Sequence, residues 1–320
     1  MITVGTWNLE NLFRPDSPFG PTDKVVYDDK LAALAATINA MAPDALGVQE
    51  VGEPEALADL VTLLTGEWHV QLSEHFDAGH PIRVGVLSPH PMVPVLDTAA
   101  FVPPLRPIQA DDTGATSGAM GRGVLAVDVQ VSDSLTVTMM VCHLKSKLLE
   151  YPAAPGKTRF YPRDEGERAR VGAYALYRRA AEAVTVRAAV DGLFAGPPAG
   201  RNLVMVGDLN DQPQAATTQI LYGPPGSQIG TAGYDRPDKG DATRLWNLAP
   251  LVPDAERFSR IYQGQPELID HVMVNQSLVG HVTDVHIRHD SPLPSIGQDP
   301  AARQNAPASD HAPVIAHLDV

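Results

Sequence analysis

Residues 203–211 read Leu-Val-Met-Val-Gly-Asp-Leu-Asn-Asp, and the reading of this stretch decides the fold. Four apolar, strand-favouring residues run into a glycine, and Asp208, Asn210 and Asp211 then arrive together. A buried strand that ends this way delivers carboxylate and amide groups to one edge of a sheet, where a ligand can reach them. On an extended backbone Asp208 and Asn210 point to the same side, with Leu209 turned away. The pattern recurs. Thr6-Trp7-Asn8-Leu9-Glu10, Leu46-Gly47-Val48-Gln49-Glu50, Val141-Cys142-His143 and Leu268-Ile269-Asp270-His271 each follow or interrupt an apolar run, and Ser309-Asp310-His311 directly precedes one. Six strand ends carrying carboxylates, amides and histidines describe metal-assisted hydrolysis.

Outward from these points the chain alternates. Apolar residues at helical spacing predict helices over 27–41, 53–64 and 165–194, with a short one over 214–221. Strands are predicted over 2–8, 45–49, 69–73, 82–88, 124–131, 135–142, 203–207, 258–262, 268–274, 282–287 and 313–318. Four stretches rich in proline, glycine or charge, 89–121, 145–168, 222–243 and 289–308, read as loop. Helices and hairpins together point to a mixed-sheet α/β sandwich rather than a doubly wound parallel sheet. None of the loops resembles an interdomain linker, so residues 1–320 are expected to form a single domain. Asn8-Leu9-Glu10-Asn11 and Asp208-Leu209-Asn210-Asp211 are similar tetrapeptides, each ending an apolar strand in its own half, and they hint at a pseudo-two-fold fold.

The 320 residues, 44% hydrophobic, suffice for a large core. A net charge of −14 argues against tight, non-specific binding of polyanions, although a divalent cation could still bring a phosphate to the site. Cys142 is the single cysteine, so no intrachain disulfide can form. Without a leader or a spanning apolar run in the chain as it stands, a soluble, cytoplasmic monomer with no membrane partner is expected.

Taken together, the segments resemble the endonuclease/exonuclease/phosphatase superfamily, the DNase I-like fold. The resemblance runs from Thr6 to Ile315, with W-N-L-E-N, V-Q-E, the strand ending in His143, G-D-L-N-D, I-D-H and S-D-H-A-P-V in the family's order. It implies a four-layer α/β sandwich, two packed mixed sheets flanked by helices, with the site at one edge. It also implies cleavage of a phosphoester by metal-assisted, in-line attack of water.

Such a reaction needs a base, charge neutralisation and positioning. Glu50, with Glu10 and Asp310 nearby, offers hard oxygen ligands suited to Mg2+ or Mn2+. In the family reading Asn8 orients the metal-binding carboxylate, and Asp208 and Asn210 align the water or contact the phosphate. His311, oriented by Asp270, is base or donor, and His143 donates to the phosphate oxygens. Which of Asp208 and His311 takes the proton stays open. His271 is read as packing behind the site. Arg83 resembles a family position near the phosphate, with a surface salt bridge as the alternative. Lys145, Lys147 and Arg163 follow the His143 strand and are expected to face the substrate, the alternative being a solvated loop.

Departures from neighbouring branches narrow the expectation. The I-D-H segment lacks the Cys-Asp-Arg signature of inositol polyphosphate phosphatases. Val51 after Glu50, and His143 itself, differ from apurinic-site endonucleases, which have Thr-Lys and tyrosine there. H-L-K-S-K looks more like the DNase I, sphingomyelinase and general bacterial nuclease branches, and no hydrophobic docking hairpin favours sphingomyelinase. A phosphodiesterase is expected, with nucleic acid the favoured substrate. A small-molecule or lipid phosphodiesterase or phosphatase of the same fold is the alternative. A non-catalytic binding protein would lack a catalytic residue, and none is missing.

Overall fold

Twelve strands make up the two largest sheets of the computed structural model, which describes residues 1–153, 157–237, 239–290 and 292–320. Residues 154–156, 238 and 291 belong to expected loops and lie outside the described residues. In chain order the strands are β1 (Ile2–Leu12), β2 (Ala45–Val51), β3 (His69–Leu72), β4 (Arg83–Ser88), β5 (Met92–Ala100) and β6 (Ala119–Ser132). There follow β7 (Leu135–His143), β8 (Leu203–Asp208), β9 (Leu245–Asn247), β10 (Asp270–Asn275), β11 (Val282–Ile287) and β12 (Val314–Leu318). One sheet has the order β11-β12-β1-β2-β4-β3, the other β9-β10-β8-β7-β6-β5.

These orders match strand for strand. β1 is parallel to β2 and antiparallel to β12, as β8 is parallel to β7 and antiparallel to β10. All outer pairs are antiparallel in both sheets. The chain builds one six-stranded arrangement twice, and the two similar tetrapeptides occupy equivalent places in it.

Alternation along each strand sorts side chains into layers. Val4, Val141, Val204, Val206 and Val272 join the core between the sheets. Leu203 and Met205 join a second core with Ala183, Val186 and Val190 of α3 (Glu165–Ala195). Trp7, Leu9 and Leu46 pack with Leu34 and Ile38 of α1 (Lys24–Met41) and Leu57 of α2 (Pro54–Val61). The result is helix, sheet, sheet, helix: a four-layer α/β sandwich. Each fully buried leucine contributes about 1.5–3 kcal/mol, so these helices are held by their apolar faces. The start of α1 is fixed by Asp23, whose side chain accepts from the Val26 amide.

Gly207, at φ 152°, lets β7 and β8 lie close where the site is built. A Cβ there would collide with the Cys142 carbonyl. In that register Asp208 stands beside both His143 and Asp270.

The stretch 89–121 departs from expectation. It contains β5, nine residues at the sheet edge, and the first residues of β6. β5 carries Pro94 and is mostly half-exposed or exposed, so it shows neither an apolar run nor clean alternation. β9, only three residues long, gave too short a signal to find. Among the described residues no helix is long and apolar enough to cross a membrane.

Candidate active site

The positions of β1, β7, β8 and β10 that face the other sheet carry valines inside the sandwich and polar groups at its edge. Val4 leads to Asn8, Val141 to His143 and Val206 to Asp208, while Asp270 opens β10. Asn8 Nδ2 joins the sheets by donating to Asp208 Oδ2 at 3.0 Å and to Glu50 Oε1 at 3.1 Å. His143 Nε2 lies 3.5 Å from Asp208 Oδ2 and 4.0 Å from Glu50 Oε1. The edge thus brings together Asn8, Glu50, His143 and Asp208.

Both tetrapeptides make the same turn. Asn8 Oδ1 accepts from the Glu10 amide at 2.9 Å, and Asp208 Oδ1 accepts from the Asn210 amide at 2.8 Å. Glu10 and Asn210 both take left-handed backbone, φ 50° and 53°. Asn210 therefore does not continue an extended strand, as the sequence suggested, and its Nδ2 donates to the Leu144 carbonyl at 3.0 Å. Asn11 (φ 50°) and Glu50 (φ 60°) are left-handed too. Strand alternation would send Glu50 to the helix side with Leu46 and Val48. The turn instead brings its carboxylate to Asn8 and to the Asn11 amide, 2.9 Å away. Such residues cost about 1–3 kcal/mol each, and strain of this kind concentrates where geometry serves a function.

His311 Nδ1 is 2.7 Å from Asp270 Oδ2, which also accepts from Ser259 Oγ at 2.6 Å. Trp7 fixes the His311 carbonyl at 2.8 Å, and Ser309 Oγ donates to the Asn8 carbonyl. Burial alone would lower the His311 imidazole, but the charges of Asp270 and Asp310 outweigh it and raise it to about 10. Burial, then the charge of Asp270, pushes Asp208 up to about 7. His143 is driven well below its ordinary value by burial and by Arg122, so it is neutral. His271 is buried behind the site, Nε2 lying 2.9 Å from the Asp211 carbonyl and Nδ1 3.1 Å from Asn247 Nδ2.

Glu10 differs from its expected place as an open ligand. Arg303 clasps both of its oxygens at 2.5 and 2.7 Å, and the Asp310 amide donates to Oε2 at 2.9 Å. Buried Lys30 donates to its carbonyl. Burial, then the charge of Asp310, still pushes Glu10 up to about 7. Among the described residues, Asp208, Asp270 and His311 do group with ligand atoms within 4.8 Å of one another. Asp284, His286 and His317 do so as well, on β11 and β12 beside the start of β1. The expected trio Glu10, Glu50 and Asp310 makes no such group.

A cleft of about 540 Å3 is lined by Arg122, Lys145 and Arg178, with His80 and Tyr174 among its walls. Only Lys145 of the expected substrate-facing cations lines it. Lys147 pairs with Asp211 at 3.1 Å and Glu267 at 3.7 Å. Arg163 bonds Glu167 in the first turn of α3. Arg83 stacks on Phe76, 4.3 Å from the ring centre, and its Nε is buried without a partner. Sequence reasoning missed Lys30, Arg122 and Arg303. Each is a lone cation outside the motifs, placed by tertiary packing alone.

The sequence profile of the endonuclease/exonuclease/phosphatase family matches residues 5–311. The chain belongs to this family. Solved structures with the same fold include truncated TDP2 from Caenorhabditis elegans, 14% identical, covering all of this chain and 98% of that one, TM-score 0.57. A mannosyl-6-phosphatase from Bacteroides thetaiotaomicron is 13% identical, with both chains fully covered and TM-score 0.56. A 3′ phosphatase from Neisseria, bound to product DNA hairpin, is 17% identical, with both chains fully covered and TM-score 0.53. No curated protein matches the sequence. At these identities the likeness is one of fold. The family is one of hydrolases acting on phosphoesters.

Proposed function

We propose that the protein is a divalent-cation-dependent phosphodiesterase, with Asp208 as general base and His311 as cationic donor. The observation that carries the assignment is geometric. His311 Nδ1 is committed to Asp270 Oδ2 at 2.7 Å, while Asp208 stands beside His143 and accepts from Asn8 and the Asn210 amide. The electrostatics run the same way, burial raising Asp208 to about 7 and the charges of Asp270 and Asp310 raising His311 to about 10. At neutral pH an imidazole with so high a value holds its proton and cannot accept the proton of water. A carboxyl near 7 is matched to that task.

Around them each residue has a geometric job. The Asn210 amide orients Asp208, and Asn8 holds Asp208 and Glu50 in one plane of contact. Asp270 anchors His311 through Nδ1, which leaves Nε2 to donate to a phosphoryl oxygen. Neutral His143 sits beside Asp208 as a further donor. The donor set fits a hard cation: it is rich in carboxylate oxygen, and burial together with neighbouring carboxylates raises Glu10 and Asp208. Glu50 and Asp310 would hold Mg2+ or Mn2+, which when bound neutralises charge on the phosphoryl oxygens.

A compact ester is the favoured substrate, because Lys147 and Arg163, the cations expected to hold a chain, are engaged elsewhere. A nuclease is the second reading, favoured by the exposed rings of Tyr161 and Tyr177, which could stack on bases. Hydrolysis of bis(p-nitrophenyl) phosphate, p-nitrophenyl phosphate and single- and double-stranded oligonucleotides, with Mg2+, Mn2+ or EDTA, tests this. Metal-dependent cleavage of the diester, lost in Asp208→Asn, is expected. Full activity in EDTA, or unchanged activity in that variant, would refute the assignment.

A further inference from the structure

We propose that the cleft beside His143 is a second anion subsite, in which Arg122 and Lys145 take a phosphate carried by the substrate in addition to the one that is cut. Its purpose rests on the phosphodiesterase reading; its chemistry rests on the cleft itself.

Placement comes first. Lys145 lies two residues beyond His143, and Arg122, on β6, reaches the Leu144 carbonyl with Nη1 at 3.5 Å. The two cations therefore flank the strand end that carries His143. For one substrate to fill both places, its second phosphate must extend from the Asp208 edge past His143 into this cleft, none of whose lining residues belongs to the catalytic set.

Charge balance comes next. No ion pair joins Arg122 to a carboxylate among the described residues. The Lys145 ammonium is mostly buried and reaches Ser146 Oγ at 3.4 Å and the Leu148 carbonyl at 3.3 Å. Its carboxylate neighbour, Glu150, is 3.8 Å away and half exposed. Burial, followed by the charge of Arg122, pulls Lys145 down to about 8, which marks positive charge in want of an anion. Arg178, also in the cleft, is already matched by Glu182 at 3.1 Å, with Asp77 at 3.9 Å.

The backbone is braced on both sides of this pair. Fully buried Glu182 of α3 accepts from the Gly121 amide at 3.3 Å and from the Lys145 amide at 2.5 Å. Arg179 donates to the Lys145 carbonyl at 2.9 Å. The longest helix thus fixes the chain beside Arg122 and at Lys145, which a merely solvated pair would not require. A guanidinium with free donors next to an ammonium suits a phosphate's geometry and charge.

The test uses p-nitrophenyl alkyl phosphodiesters whose alkyl chains, of increasing length, end in a phosphate or in a hydroxyl. At one length the phosphate-ended ester should have the larger kcat/KM by about tenfold or more, with the preference falling as salt is added. Arg122→Gln and Lys145→Met should each remove most of that ratio, read only in variants whose thermal melts match the wild type. Calorimetric binding of the alkyl bisphosphates in EDTA gives a readout without turnover. If no ester is cut yet bisphosphate binding depends on Arg122, the phosphodiesterase reading fails and the subsite stands. If both esters are cut equally at every length, or neither variant changes the ratio, the subsite is overturned.

Discussion

In one sheet the turn that interrupts β1 is built on Asn8; in the other the turn after β8 is built on Asp208. The hydrogen bond that closes the turn has nearly the same length, 2.9 against 2.8 Å, and the third residue is left-handed in both. The neighbouring strands run in the same senses. What differs is charge. An amide at position 8 can donate to Glu50 and Asp208 at once, whereas a carboxylate there would repel both. On the second side a carboxylate at 208 faces His143 and Asp270. One backbone solution, used twice, places Glu50 in the half that carries Asn8 and Asp208 in the other, while His311, which leads into β12 of the first sheet, reaches across to Asp270 of the second. Topology supplied the meeting point, and single side chains divided the work.

The largest effect that would break this division lies on the second side. Asp208→Asn should lower kcat by roughly 10²-fold or more, the scale of a lost general base. His311→Ala should fall in the same range through loss of a charged donor. Asn8→Ala should cost less, because it positions two carboxylates without taking the proton. Steady-state kinetics on bis(p-nitrophenyl) phosphate would decide: equal losses at Asn8 and Asp208 would mean that the halves are not specialised. Glu50→Gln should instead raise the Mg2+ concentration for half-maximal rate by about tenfold, the cost of one ligand's charge. If the variant titrated like wild type, Glu50 would not be a ligand.

A smaller effect is shared by both halves. Glu10 and Asp208 are raised to about 7 from ordinary carboxyl values near 4. For these two groups the folded state holds more protons between those limits, which by itself lowers metal-free stability as pH rises from about 4 to 7. Buried His143 and His271, whose values are lowered, act in the opposite sense as pH rises toward 6.5. His311 acts in the other region: its contribution is complete below about 6.5 and is lost as pH rises through about 10. Thermal melts in EDTA across this range isolate the share of Asp208: Asp208→Asn should gain stability relative to the wild type as pH rises from about 4 to 7. Added Mg2+ should stabilise more at pH 8 than at pH 5, since cation binding needs the ionised carboxylates. A difference in melting temperature between wild type and Asp208→Asn that stayed constant from about pH 4 to 7 in EDTA would contradict the assignment.

The fold and the centre of the site were legible because both are written in local pattern. Apolar runs ending in Asn8, His143 and Asp208 encode a strand, its edge and its chemistry within a few residues. The same logic found the turn-and-strand repeat at positions 8 and 208. It misjudged Asn210, because an Asx-turn and an extended strand have the same residue types. It also misjudged Glu10, because the partner that occupies that carboxylate, Arg303, comes from an irregular segment 293 residues away. β5 was unreadable for a different reason: an edge strand with Pro94, exposed on much of its length, need not alternate.

The smallest expected effect concerns the cations that sequence alone would place in the groove. Arg163 is largely exposed and shares Glu167 with Arg159, which lies 2.6 Å from the same oxygen. Glu167 also accepts from the Arg163 amide, which Arg163→Ala leaves in place. Removing an exposed partner from such a pair costs about 0–1 kcal/mol, and nothing at the catalytic edge depends on it. Lys147 is likewise engaged, between Asp211 and Glu267. Arg163→Ala and Lys147→Ala should therefore leave both small-ester and oligonucleotide cleavage within about twofold of wild type, with little change in salt dependence. The comparison with Lys145→Met sharpens the point, since Lys145 follows the same strand but lines the cleft. A selective loss of oligonucleotide cleavage in Arg163→Ala, with the small ester unaffected, would show that this segment swings over a bound chain. The nuclease reading would then displace the compact ester, and the basic character of 145–168 would be part of the site after all.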